Sequence, residues 1–204
     1  MKRLLKTLAL MSAILSVLTA CAGKVRYPTY YTLNLPPAPD PPAKEQAASS
    51  IAVREVQSPA YLRQGPIVYR TTPEQIGFYE YHRWAEDPGI FVTSAVIDHL
   101  RASGRYSAVS AYSGRSDTDY IFSGRLEKLE EVDYEGGVRV EVGVSAQITR
   151  VATGETVWSN ALSETGTVSR RTVPGVVSEM NRTMDAAINK LLSTLPAPQA
   201  SNKG

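Results

Sequence analysis

The chain has 204 residues, of which 43% are hydrophobic and 21% charged, and its formal charge at pH 7 is +2. Lys2, Arg3 and Lys6 hold part of that charge at the extreme N-terminus; without them the chain is close to neutral, which excludes nucleic-acid binding driven by bulk charge. A single cysteine excludes an internal disulfide, and the ordinary apolar share excludes wholesale disorder and leaves room for one domain with a real core.

After its basic start the chain is mostly apolar from Leu8 to Ala20. A helix over that run would be roughly 20 Å long, short of the ~30 Å hydrocarbon layer, so residues 1–20 read as a secretory signal peptide and not as a membrane span. The run ends Leu18-Thr19-Ala20-Cys21. Leucine three places before a cysteine, with a small residue between, is the pattern of a bacterial lipobox. Its thiolate takes a diacylglycerol and its new amino group is acylated after cleavage. A chance cysteine behind an ordinary signal is the weaker reading, because an unpaired thiol has little use in an oxidising compartment. Cys21 is therefore expected to be a lipid anchor. With Ala22 next to it, the expected site is the periplasmic face of the outer membrane in a Gram-negative cell.

Residues 21–28 form a short tether, and a single domain is expected over 29–195. Thr29 to Leu35 reads as a first strand. Residues 36–50 cannot be regular structure, since prolines stand at 36, 37, 39, 41 and 42. Ile51 to Val56 is expected to be a central strand, Ile67 to Arg70 a short one, and Ile76 to Trp84 another, with Phe78 facing away from Tyr79 and Tyr81. Asp87-Pro88 starts a helix running to Ser103, with Thr93, Val96, Ile97 and Leu100 on one face and Gly104 as its stop.

A short strand is expected at Tyr106 to Val109. Asp119 to Glu135 alternates, but the pattern slips between Leu126 and Leu129, which predicts a bulge. Gly136-Gly137 turns the chain into the clearest signal, Val138, Val140, Val142, Val144, Ala146 and Ile148 in strict alternation with polar residues. That is a half-buried antiparallel strand. Thr156 to Ser163 completes a three-stranded meander. The last element is a helix from Pro174 to Leu195, its apolar face formed by Val177, Met180, Met184, Ala187, Ile188, Leu191 and Leu195. Residues 196–204 are a tail. The expected fold is α/β of the α+β type: a mixed, mainly antiparallel sheet with two principal amphipathic helices packed on it.

The sequence offers little chemistry. Neither His82 nor His99 has a partner at metal-ligand spacing, and neither an activated-serine elbow nor a phosphate-binding glycine loop is present. Asp117-Thr118-Asp119 reads as a solvated turn rather than a sugar-nucleotide metal site. Glu127, Glu130, Glu131, Asp133 and Glu135 read as the wet end of a hairpin. Arg170-Arg171 suits lipid phosphates, a carboxylate or plain solubility. No enzyme, cofactor or metal is expected. Tyrosine is the unusual residue, eleven in all. Those before the first helix either line an interface or pack the sheet against its helices.

Three stretches carry a resemblance: "YYTL" at Tyr30–Leu33, "VREVQSPAYLRQGPIVYR" at Val53–Arg70, and "RWAEDPG" at Arg83–Gly89. In this order behind a lipobox, the chain resembles the ABC-type transport auxiliary lipoproteins, the PqiC-like group, best between Tyr30 and about Val109. That resemblance implies an anticodon-binding-domain-like sandwich without catalytic role. It implies an adaptor for an MCE-domain protein and its ABC permease and ATPase, moving lipids or other hydrophobic molecules between the membranes. Tyr61, Leu62, Tyr69 and Trp84 match the family motif and are the implied partner-binding positions; a homo-oligomer is compatible. The segment between Trp84 and Pro88 is one residue longer than usual, and Gly89 stands where leucine is common, so no role carries over to those two. The rival reading is an outer-membrane activator of a peptidoglycan synthase, which would want a longer tether than residues 21–28.

Overall fold

The computed structural model describes residues 26–36, 48–114, 117–134 and 136–196. The expected signal peptide (1–20), Cys21, most of the expected tether, most of the proline-rich segment and nearly all of the expected tail lie outside the described residues.

The long meander is the frame. Strands β6 (Tyr120–Val132), β7 (Arg139–Arg150) and β8 (Thr156–Thr167) pair antiparallel along their whole lengths. The inward residues of β7 are Val140, Val142, Val144, Ala146 and Ile148, as expected, and together with Val138 just ahead of the strand all are buried. Side chains alternate between faces along a strand, so this set makes one apolar surface. Gly166 of β8 allows the close approach of helix α2 (Val173–Ser193): a Cβ there would sit 2.1 Å from Glu179 Oε1 and 2.2 Å from Thr183 Oγ1. The predicted face of α2 is buried in full, and Val176, Glu179 and Thr183 join it.

The other edge of β6 is shared by two strands. β2 (Ser50–Val53) lies parallel to its first residues and β3 (Pro66–Thr72) parallel to its last. Between them Gln57 still bridges to Arg125, and residues from Ser58 to Gly65 loop away through a 3-10 turn at Leu62–Gln64. The sheet therefore forks at β6. One branch continues through β2 to β5 (Ala108–Ala111), the other through β3 to β4 (Gln75–Trp84) and β1 (Thr29–Tyr31). The result is a mixed eight-stranded sheet whose long ladders are antiparallel. Helix α1 (Pro88–Ala102) packs over β2 and β5, and α2 over β7 and β8.

The boundaries move where tertiary contacts override local pattern. β1 stops at Tyr31, not Leu35, because Leu33 turns into the core and the Asn34 amide donates to Asn181 Oδ1 of α2 at 2.5 Å. β2 stops at Val53, since the Val56 amide is drawn away to Thr93 Oγ1 at 2.8 Å. β5 starts at Ala108 rather than Tyr106. Tyr106 instead packs edge-on to Tyr120, and burial pushes its hydroxyl pKa up to about 12. β8 runs to Thr167, four residues past the expected end, because its ladder with β7 continues through Glu164–Gly166. In β4 the register slips between the pairs Pro66–Arg83 and Val68–Phe78, so the expected alternation of its aromatics fails beyond Tyr79.

Candidate functional site

The branch made of β3, β4 and β1 gathers the tyrosines. Tyr69 and Gly77 are paired across β3 and β4, and the Tyr69 ring lies on the glycine: a Cβ there would be 2.3 Å from the ring. The Tyr79 ring is 5.0 Å from that of Tyr69 and stands edge-on to His82 at 5.9 Å. His82 Nδ1 shares a hydrogen bond of 2.9 Å with the Tyr31 hydroxyl on β1. The row ends at a charge, where the Tyr79 hydroxyl donates to Glu131 Oε2 at 2.7 Å.

Glu131 is buried, contrary to the expectation of a wet hairpin end. The bulge between Leu126 and Lys128 is the reason. Before it Tyr120, Phe122 and Leu126 face inward; after it Leu129 and Glu131 do, opposite Val142 and Val140. Burial raises the Glu131 pKa, against the opposing pull of the Tyr79 hydrogen bond. Burial and the carboxylate together drive the Tyr79 hydroxyl well above its ordinary range. A neutral phenol that donates to a buried carboxylate fixes a ring; it moves no proton near pH 7. The aromatic row is a rigid amphipathic surface, suited to contact.

Glu130 departs from expectation as well. It is 0% exposed, on the opposite face of β6, and takes a 2.6 Å ion pair from Arg70 Nε. Glu127 stays exposed, with Arg125 and Ser145 on its carboxylate.

The four implied partner positions do not form one patch. Leu62 and Trp84 are 0% and 3% exposed and belong to the core. Tyr69 joins the aromatic row. Tyr61 is half-buried beside Arg70 and Glu130; its hydroxyl donates to the Glu127 carbonyl at 3.1 Å. Sequence reading included Tyr31 among the tyrosines that could line a surface, but missed His82 and Glu131 as members of the row. The slipped alternation at Leu126 was the signal for Glu131, while Tyr31 and His82 meet only through the parallel pairing of β1 with β4. His99 is half-buried, its Nδ1 2.8 Å from the Ala95 carbonyl oxygen. Among the described residues no group of three His, Cys, Asp or Glu side chains is placed to hold a metal, and no helix is long and apolar enough to cross a membrane.

A model of the ABC-type transport auxiliary lipoprotein component matches residues 31–191, both branches of the sheet and both helices included. The chain belongs to this family. The auxiliary lipoprotein is similar in fold to protein XCC0632 from Xanthomonas campestris, with a TM-score of 0.69 at 17% identity over 80% of this chain and 92% of that one. An uncharacterized protein of known structure matches at TM-score 0.64 and 14% identity, covering 82% and 98%. PelC from Paraburkholderia phytofirmans, crystallised as a dodecamer, aligns at 0.47 and 23% identity, covering 78% and 95%. No curated protein matches the chain.

Proposed function

We propose that this auxiliary lipoprotein is a lipid-anchored adaptor on the periplasmic face of the outer membrane. Its anchor is Cys21, carrying a diacylglycerol on sulfur and an acyl chain on nitrogen. Its partner is the MCE-domain protein of an ABC permease and ATPase system that moves lipids or similar hydrophobic molecules across the envelope. The observation that carries this reading is the position of the cysteine: a family fold matched from residue 31 stands directly behind a lipobox. Two or more acyl chains hold a protein stably at a bilayer. The aromatic row supports docking rather than turnover, because Tyr31, His82, Tyr79 and Glu131 are held by hydrogen bonds to one another. In this reading Tyr69 offers a partly exposed ring within the row, and Tyr61 a second contact outside it, while Leu62 and Trp84 serve the core.

The test is affinity purification from membranes in mild detergent. The MCE protein and permease are expected to come down with the wild type, and their absence would overturn the adaptor role. The Cys21→Ala variant is expected to leave the outer-membrane fraction; if it stays there, the anchor assignment is wrong.

A further inference from the structure

The chain ahead of β1 points to one end of the sheet. β1 is parallel to β4, with Thr29 beside His82, so residues before Thr29 travel back along β4 toward the Thr72–Gln75 turn. Arg26 already lies that way, its guanidinium 5.8 Å over the Tyr81 ring. β3 and β6 are parallel too, with Arg70 beside Val132, and Arg139 of β7 pairs with Thr167 of β8. The Gly136-Gly137 turn and the loop holding Arg170 and Arg171 therefore share this end. The turn at Val151–Thr153 marks the opposite one, a strand length of about 40 Å away.

Four residues lie between Cys21 and Arg26, five Cα–Cα steps that span at most about 18 Å whatever their conformation. This inference rests on the anchoring of Cys21 proposed above. An anchored Cys21 keeps the start of β1 within reach of the headgroups, but a tether of that length does not by itself orient the sheet. What the near segment presents is distinctive. Tyr27 and Tyr30 are 80% and 60% exposed, the highest values among the large hydrophobic side chains described. At those exposures neither ring serves the core. Tyrosine has an apolar ring with a polar tip, which favours the membrane–water boundary, and a guanidinium pairs with phosphate. Glu74, Glu80 and Asp133 lie at the same end, so rings and single arginine–phosphate contacts hold it there, not bulk charge.

We propose that the segment from Arg26 to Tyr30 seats in the headgroup layer of the membrane that holds the anchor. The Tyr27 and Tyr30 rings lie at the boundary and Arg26 meets a lipid phosphate. The sheet then rests on the corner between its β1 edge and the Thr72–Gln75 turn, with the Val151–Thr153 turn held out toward the periplasm.

Cys21 is the only cysteine and the lipid consumes it, so an added cysteine is the sole free thiol for a nitroxide label. The full lipidated chain carrying Thr72→Cys or Thr153→Cys is placed in phosphatidylethanolamine–phosphatidylglycerol vesicles, and collision with a water-soluble nickel chelate is measured. The expected result is a several-fold lower collision rate at residue 72 than at 153, with the two made equal by adding Tyr27→Ser and Tyr30→Ser. Mass spectrometry of the Cys21 peptide reports the anchor separately. Equal rates in a protein whose Cys21 carries lipid overturn the seating alone. Protection at 72 that survives the serine changes overturns the part assigned to the rings. An unmodified Cys21 overturns anchor and seating together.

Discussion

Glu131 shows how one residue's role depends on a single extra place in a strand. In the sequence it belongs to an acidic run; one bulge upstream turns it inward, where burial raises its pKa and Tyr79 is its hydrogen-bond donor. The folded protein therefore holds the Glu131 proton more tightly than the unfolded chain. The associated stability is present below the ordinary carboxyl value of 4.5 and is lost as pH rises through the raised folded value. Glu131→Gln removes that titration and keeps an oxygen for Tyr79. Relative to the wild type, the variant is expected to be more stable at pH 7 than at pH 4.5. Thermal unfolding at the two pH values measures the gap, and a gap independent of pH would exclude the mechanism. Tyr69 was legible by type but not by partner, because its ring rests on Gly77 of a neighbouring strand.

Among the elements, α1 was the most legible in its start. Asp87 accepts from the Gly89 amide at 2.8 Å, as an Asp-Pro opening predicts. The fold adds a second duty, for the same oxygen accepts from Ser58 Oγ at 2.6 Å. Gly89 lies so close to the preceding loop that a Cβ would meet the Val56 carbonyl oxygen at 2.3 Å. The cap thus fastens the helix to the loop that leaves β2. Asp87→Ala is expected to cost about 1–2 kcal/mol, at the upper end for a lost N-cap, because Ser58 loses its acceptor too. Urea unfolding measures this; a loss of only a few tenths would mean that the Ser58 contact contributes nothing. Short elements were the least legible. β1 and β5 have three and four residues, and their ends are set by where Leu33 and Tyr106 find burial.

At the scale of the molecule β6 is the spine, paired along one edge with β7 and along the other with β2 and β3 in turn. Amides in the middle of β6 and β7 are flanked by strands on both sides and covered by helices. Those of β5 and β1 hang from short edge pairings. Hydrogen exchange followed by mass spectrometry is expected to show the β6–β7 core exchanging only through global unfolding, and the β5 and β1 peptides through smaller local openings. Equal protection of β5 and β7 would mean that the branches do not open independently. The fork also separates duties: the β2–β5 branch lies under α1, while the β3–β4–β1 branch carries the aromatic row and takes in the chain from the N-terminal side.

The sequence by itself determined the features that rest on local periodicity and covalent order. The inward face of β7, the buried face of α2, the Asp87 helix start and the place of Cys21 just ahead of the fold all follow from residue spacing along one segment. Only the tertiary structure decided what depends on segments far apart in the chain. β2 and β3 share one edge of β6, Leu62 and Trp84 are sealed in the core, and Tyr31 meets His82 across a parallel pair. Parallel pairing has no turn to fix its register, so no local pattern announces it. That pairing also fixes the direction from which the chain enters β1 along the edge of β4.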